Sequence, residues 1–222
     1  MKTIHILLLI LLFPFEILTA NELTNAEREG IILMREEEKL AHDVYQFLYE
    51  KWELNIFSNI LGAETRHFNA MGYLIESFDL EDPAFEEPGR FRNKELQSLY
   101  DSLTTQGSES LIAALQTGAY IEEVDIQDLQ QLIENTADET ILPVYQSLLR
   151  ASGNHLRAFT GQLANRNQSY APSILSVSDY QLILDSPHQG GMGKGNCMKQ
   201  NKCKNQDAKG KGRQYRGGRG NN

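Results

Sequence analysis

Four long stretches of this chain repeat apolar residues at helical spacing, and each breaks the repeat with an acid or a histidine near its middle. Residues 25–52 are predicted as a first helix, capped by Asn25, with Leu33, Leu40, Val44, Phe47 and Leu48 in its stripe. Residues 56–78 form a second, with Ile56, Ile60, Met71, Leu74, Ile75 and Phe78 inward. Residues 108–136 form a third, capped by Ser108, with Leu111, Leu115, Ile126, Leu129 and Ile133 inward and Gly118 as a point of bending. Residues 138–166 form a fourth, with Leu148, Leu149, Leu156 and Phe159 on its buried face and Pro143 near its first turn, where proline is tolerated. No strand pattern competes, so the chain reads as all-α.

Connection lengths refine this. The first and second helices, and the third and fourth, are joined by a few residues, so each pair is an antiparallel hairpin. Between the second and third lie residues 79–107, with Pro83, Pro88 and Gly89 in a loop and a short helix over 93–103. That is enough chain to run back along a bundle whose helices span roughly 35 Å at 1.5 Å per residue. A four-helix bundle with one long crossover in the middle has ferritin-like connectivity. Residues 170–184 are apolar enough to pack back onto it.

Charge divides the chain. Residues 21–186 carry eleven Lys/Arg against twenty-eight acids, whereas residues 187–222 carry nine Lys/Arg against one acid. The first segment is an acidic helical domain. The second, rich in Gly, Lys and Arg and poor in apolar residues, cannot bury a core and is expected to be disordered. Residues 1–20 read as an export signal, with Lys2, an apolar run and the small Ala20. An uncleaved N-terminal anchor is the alternative. Both cysteines, Cys197 and Cys203, lie in the basic tail, as a small disulfide loop or two free thiols.

The residues that interrupt the stripes carry the chemistry. On a wheel of about 100° per residue, Glu64 falls at the centre of the second helix's apolar face, with His67 one turn on. Glu122 lies in line with Ile126 and Leu129, Asp125 sits beside it, and Glu123 points away. Ser152 and His155 face inward from the fourth helix. In the first, Glu37 is central and Glu38 near the edge. Each helix thus offers a potential metal ligand at mid-length. Buried carboxylates must be paired, and a cation neutralises several together. Mixed carboxylate and imidazole donors suit iron, manganese or zinc. Blander readings exist for single members. His155 alone is a hydrogen-bonded core histidine, "REEEK" (residues 35–39) is mostly a solvated face, and Asp125 pairs with Arg66 or Arg157.

The segments "MREEEKLAHDVY", "AETRHF", "YIEEVDIQDL" and "NHLRAF" resemble a family of uncharacterised ferritin-like domains, DUF2202, within the superfamily that includes the rubrerythrins. The resemblance covers residues 27–165. It implies metal ligation by Glu38, Glu64, His67, Glu122 and His155, with Glu37 and Asp125 as further candidates, and places Tyr45 close to the site. It implies a di-iron or related centre, with metals ~3.5–4 Å apart if dinuclear. Dioxygen or peroxide would be the co-reactant, in ferroxidase, peroxidase or oxidase chemistry. One departure stands out: Ser152 occupies the place where that superfamily carries a glutamate. The competing reading is a non-catalytic envelope module whose basic tail binds an anionic partner or the acidic body of a neighbouring copy, making a homo-oligomer.

Overall fold

The structure is a computed structural model and describes residues 23–187; the expected export signal, the basic tail and its two cysteines lie outside the described residues. Six helices and no strand occur among the described residues: α1 (Asn25–Trp52), α2 (Asn55–Ser77), α3 (Lys94–Gly107), α4 (Leu111–Glu134), α5 (Ile141–Ala164) and α6 (Val177–Asp185). None of these helices is long and apolar enough to cross a membrane.

Helix ends follow side-chain capping, and two differ from expectation. Thr24, not Asn25, caps α1. Its side chain accepts from the Glu27 amide while the Glu27 carboxylate accepts from the Thr24 amide, which satisfies two orphan donors at once. Ser110, not Ser108, caps α4 by accepting from the Ala113 amide. Ser108 instead closes α3, which runs to Gly107, four residues beyond its expected end.

α1 packs against α2, α4 against α5, α1 against α4, and α2 against α5. α3 covers α1 and α4, and α6 lies on α5. Side-chain pairs fix the directions. Tyr45 of α1 meets Glu122 of α4, and Glu37, two turns earlier on α1, meets Asp128, further along α4. These two helices therefore run antiparallel.

The core divides into two apolar clusters. One holds Tyr45, Leu48, Phe57, Leu115, Phe159 and their neighbours. The other holds Ile31, Met34, Met71, Leu74, Leu129, Tyr145 and Leu148. Along α1, α2 and α5 the residues between the two sets are Glu37 and Glu38, Glu64 and His67, and Ser152 and His155. On α4 Glu122 and Asp125 fall at the same level. A polar layer is thus sealed by apolar packing above and below.

Gly118 matters here through contact. The Phe159 ring occupies the space where a side chain would begin, and a Cβ at 118 would stand 2.4 Å from it. Gly118→Ala is expected to destabilise the fold by about 1–3 kcal/mol through overpacking. A denaturant titration checks this, and an unchanged midpoint would contradict the contact.

The run Arg35 to Lys39 is buried, contrary to the solvated face expected from its charge; each residue is at most 8% exposed. The connection after α2 covers it and supplies partners for Arg35, Glu36 and Lys39. Arg35 forms an ion pair with Asp82 and donates to the Phe68 carbonyl. Glu36 accepts from the backbone amides of Arg92 and Asn93, and Lys39 bridges Asp43 and the Glu87 carbonyl. Glu123 points away from the polar layer but is also buried. It accepts from the Tyr170 hydroxyl and from the amides of Ser173 and Leu175, anchoring the segment that leads into α6.

Candidate metal centre

Glu38, Glu64 and His67 bring one ligand atom each to within 4.8 Å of one another, and so do Glu64, Glu122 and His155. Four helices contribute, and Glu64 belongs to both groups. His67 Nδ1 stands 2.7 Å from Glu64 Oε2 and 3.5 Å from Glu38 Oε2. His155 Nδ1 stands 2.9 Å from Glu64 Oε1 and 3.4 Å from Glu122 Oε2. The two imidazole rings lie 5.8 Å apart. Ligands at ~2.0–2.2 Å from a common ion stand roughly 3–3.5 Å from one another, so these separations suit one ion per group.

Hydrogen bonding pairs His67 Nδ1 with Glu64 Oε2 but leaves most of the other ligand atoms unsatisfied. Both Glu38 oxygens, Glu64 Oε1, Glu122 Oε2 and His155 Nδ1 are buried with no hydrogen-bond partner. The His155 contacts are close enough for an ion pair, yet the ring nitrogen lacks hydrogen-bond alignment with either carboxylate. An unsatisfied buried polar group costs about 1–3 kcal/mol, so a cluster of them calls for a shared partner. The donor set fits a metal ion on that ground.

Tyr45 donates to Glu122 Oε1 at 2.6 Å and packs 5.4 Å from the Phe159 ring. It restrains one Glu122 oxygen and leaves Oε2 facing His155. Ser152 donates to the Leu148 carbonyl, so its hydroxyl is satisfied by its own helix. Glu37 and Asp125 fall outside both groups. Glu37 lies instead beside Asp128, a neighbour the sequence reading missed, although the three-residue spacing of Asp128 from Asp125, and of Asp125 from Glu122, placed it on their face. The two arginines expected to pair with Asp125 donate elsewhere: Arg66 to the Gly62 carbonyl, and Arg157 to the Ile183 carbonyl and Ser186.

Proximity shifts every group. Burial raises the Glu38 carboxyl, and despite the opposing pull of His67 it stands at about 7. Glu122 is raised as well, because burial outweighs His155. Burial also acts upward on Glu64, but the imidazoles of His155 and His67 flank it and hold it below the usual carboxylate range. Both imidazoles rise despite burial, His67 to about 10 beside Glu38 and Glu64, and His155 well above its usual value beside Glu122 and Glu64. In the metal-free chain the His67 contribution to stability is complete below its unfolded value near 6.5 and is lost as pH climbs through about 10.

Over residues 27–187 the sequence matches the family described as "Uncharacterized protein domain (DUF2202)". The chain belongs to the DUF2202 family. A relative, "Uncharacterized protein MJ0754" of Methanocaldococcus jannaschii, is 43% identical over 171 residues, spanning 77% of this chain and 92% of its own. The crystal structure of hypothetical protein MJ0754 from Methanococcus jannaschii is similar at a TM-score of 0.75 and 42% identity, covering 78% of this chain and 99% of its own. The DUF2202 match takes in all four helices that build the polar layer, α6 included beyond them.

A metal ion takes the neutral imidazole, so binding in this DUF2202 chain must displace the protons that His67 and His155 hold at neutral pH. Metal uptake is expected to release about one proton per ion at pH 7, and affinity to rise with pH. Calorimetry in two buffers of different ionisation enthalpy measures this; identical heats in both would contradict it.

Proposed function

We propose that this DUF2202 protein is an exported ferritin-like metal protein whose dinuclear centre performs oxidation chemistry. The observation that carries the reading is the pair of buried Glu/His groups sharing Glu64. Glu38, Glu64 and His67 would hold one ion, and Glu64, Glu122 and His155 the other. Iron, or manganese with iron, suits this donor set. Bound iron supplies one-electron oxidation chemistry with dioxygen or peroxide. Ferritin-like connectivity is supported by the directions of the helices. α2 and α4 both run antiparallel to α1, so residues 78–110 return along the bundle as a crossover. Export rests on Lys2 and the apolar run ending at Ala20.

The protein's own residues define the working surface. The two apolar clusters exclude water above and below the layer. Tyr45 orients Glu122. Ser152, whose hydroxyl is taken up by the Leu148 carbonyl, would contribute no carboxylate from α5. Anaerobic ferrous loading followed by exposure to dioxygen or peroxide tests the chemistry. Oxidant consumption in proportion to bound iron, faster than by free ferrous ion, is expected. Consumption no faster than in buffer would overturn the oxidation reading.

A further inference from the structure

Beside the centre stand three carboxylates that neither ligand group uses: Glu37, Asp125 and Asp128. Glu122, Asp125 and Asp128 follow one another on α4 at three-residue steps, about 4.5 Å of rise each, and so lie along one face. Glu122 ends in the centre and Asp125 is buried one step out. Asp128, a further step on, is half-buried. From α1, Glu37 lies beside Asp128, and Glu37 Oε2 is buried with no hydrogen-bond partner, the residue being 5% exposed. Asp125 lies within electrostatic reach of Glu37, Glu38, Glu122 and Glu64, which closes the chain from Asp128 to the ligands.

A cavity of about 10 Å³ opens beside Glu37 and Asp125, walled by Leu40, Leu96 and Ile121. It is about the size of a single water. The charges acting most strongly on Glu37 and Asp125 are other carboxylates, not lysine or arginine. A purely structural seam would be cheaper to build from apolar residues, since like charges in a buried row oppose folding. An unpartnered carboxylate oxygen beside a one-water cavity is instead suited to a cation in transit.

We propose that Asp128, Glu37 and Asp125 form a loading path along which a divalent cation passes between α1 and α4 from the surface to the centre. The inference rests on the metal-centre reading above. It also gives Glu37 and Asp125 a role distinct from ligation, in keeping with their place outside both ligand groups.

The test uses the full metal-free chain, cobalt(II) as the probe, and stopped-flow absorption. Asp128→Asn and Asp128→Lys alter the outer end of the path without touching a ligand. Loading and release are both expected to slow, several-fold in Asp128→Asn and tenfold or more in Asp128→Lys, while the final number of ions bound is unchanged. Glu76→Gln, an exposed carboxylate on α2, should load like the parent. Loading by Asp128→Lys at the parental rate would overturn the path. Slower loading with unchanged release would also overturn it, since that is an affinity effect. A parent chain that takes up no cobalt would overturn the centre itself, and the path with it.

Discussion

Glu64→Ala is expected to empty both halves of the centre, whereas His67→Ala and His155→Ala should each cost about one ion. The asymmetry follows from geometry. Glu64 Oε2 meets His67 and Glu64 Oε1 meets His155, so one carboxylate serves two groups, while each imidazole serves one. Loss of a residue that merely orients a ligand weakens metal binding by 10–100-fold, so loss of a shared ligand should exceed about a hundredfold. Elemental analysis of the reconstituted variants reads this directly. If Glu64→Ala retained as much metal as His67→Ala, Glu64 would not be shared.

Ser152→Glu has the second largest expected effect, and its sign depends on metal. Ser152 is buried one turn before His155 on the same face of α5. A glutamate there adds a buried negative charge to a layer already raised by Glu38 and Glu122. Without metal the variant should lose about 3–5 kcal/mol, the scale of an uncompensated buried charge. For a domain of this size that lowers the melting temperature by roughly 6–20 °C. With metal in excess, the added carboxylate becomes a ligand and most of the loss should be recovered. Ser152→Gln controls for volume, and metal should not rescue it beyond its effect on the parent. Thermal melts with and without manganese separate the cases. Equal destabilisation of Ser152→Glu in both would show that position 152 does not face the ions.

The four long helices and their inward polar residues were legible because two signals coincided. Glu64, His67, Glu122 and His155 each sit on an apolar stripe, and each sits at mid-length, so a bundle brings them to one level. The first helix was harder to read. Glu37 and Glu38 are one residue apart, about 100° on the wheel, and both are buried; periodicity favoured Glu37, and only the family resemblance favoured Glu38. The structure places Glu38 with His67 and Glu64, and Glu37 with Asp128.

The burial of Arg35 to Lys39 was illegible for a different reason. Local pattern marks a charge run as solvated, and only the return of residues 79–93 over that face supplies Asp82, the Arg92 and Asn93 amides and the Glu87 carbonyl as partners. Glu123 shows the same limit, because its partners lie some fifty residues away in sequence at Tyr170 to Leu175. Short-range chemistry fixed the cap misplacements at Asn25 and Ser108. Thr24 has Glu27 at the spacing of a capping box, and Ser110 precedes the first apolar turn of α4.

If the buried Glu/His layer binds metal, the metal content of the folded chain shows it. The full chain, reconstituted anaerobically with ferrous iron and freed of loosely held ions, should retain about two ions per chain, as a bundle core with two Glu/His groups implies. Content near zero, with the protein folded, would contradict the account.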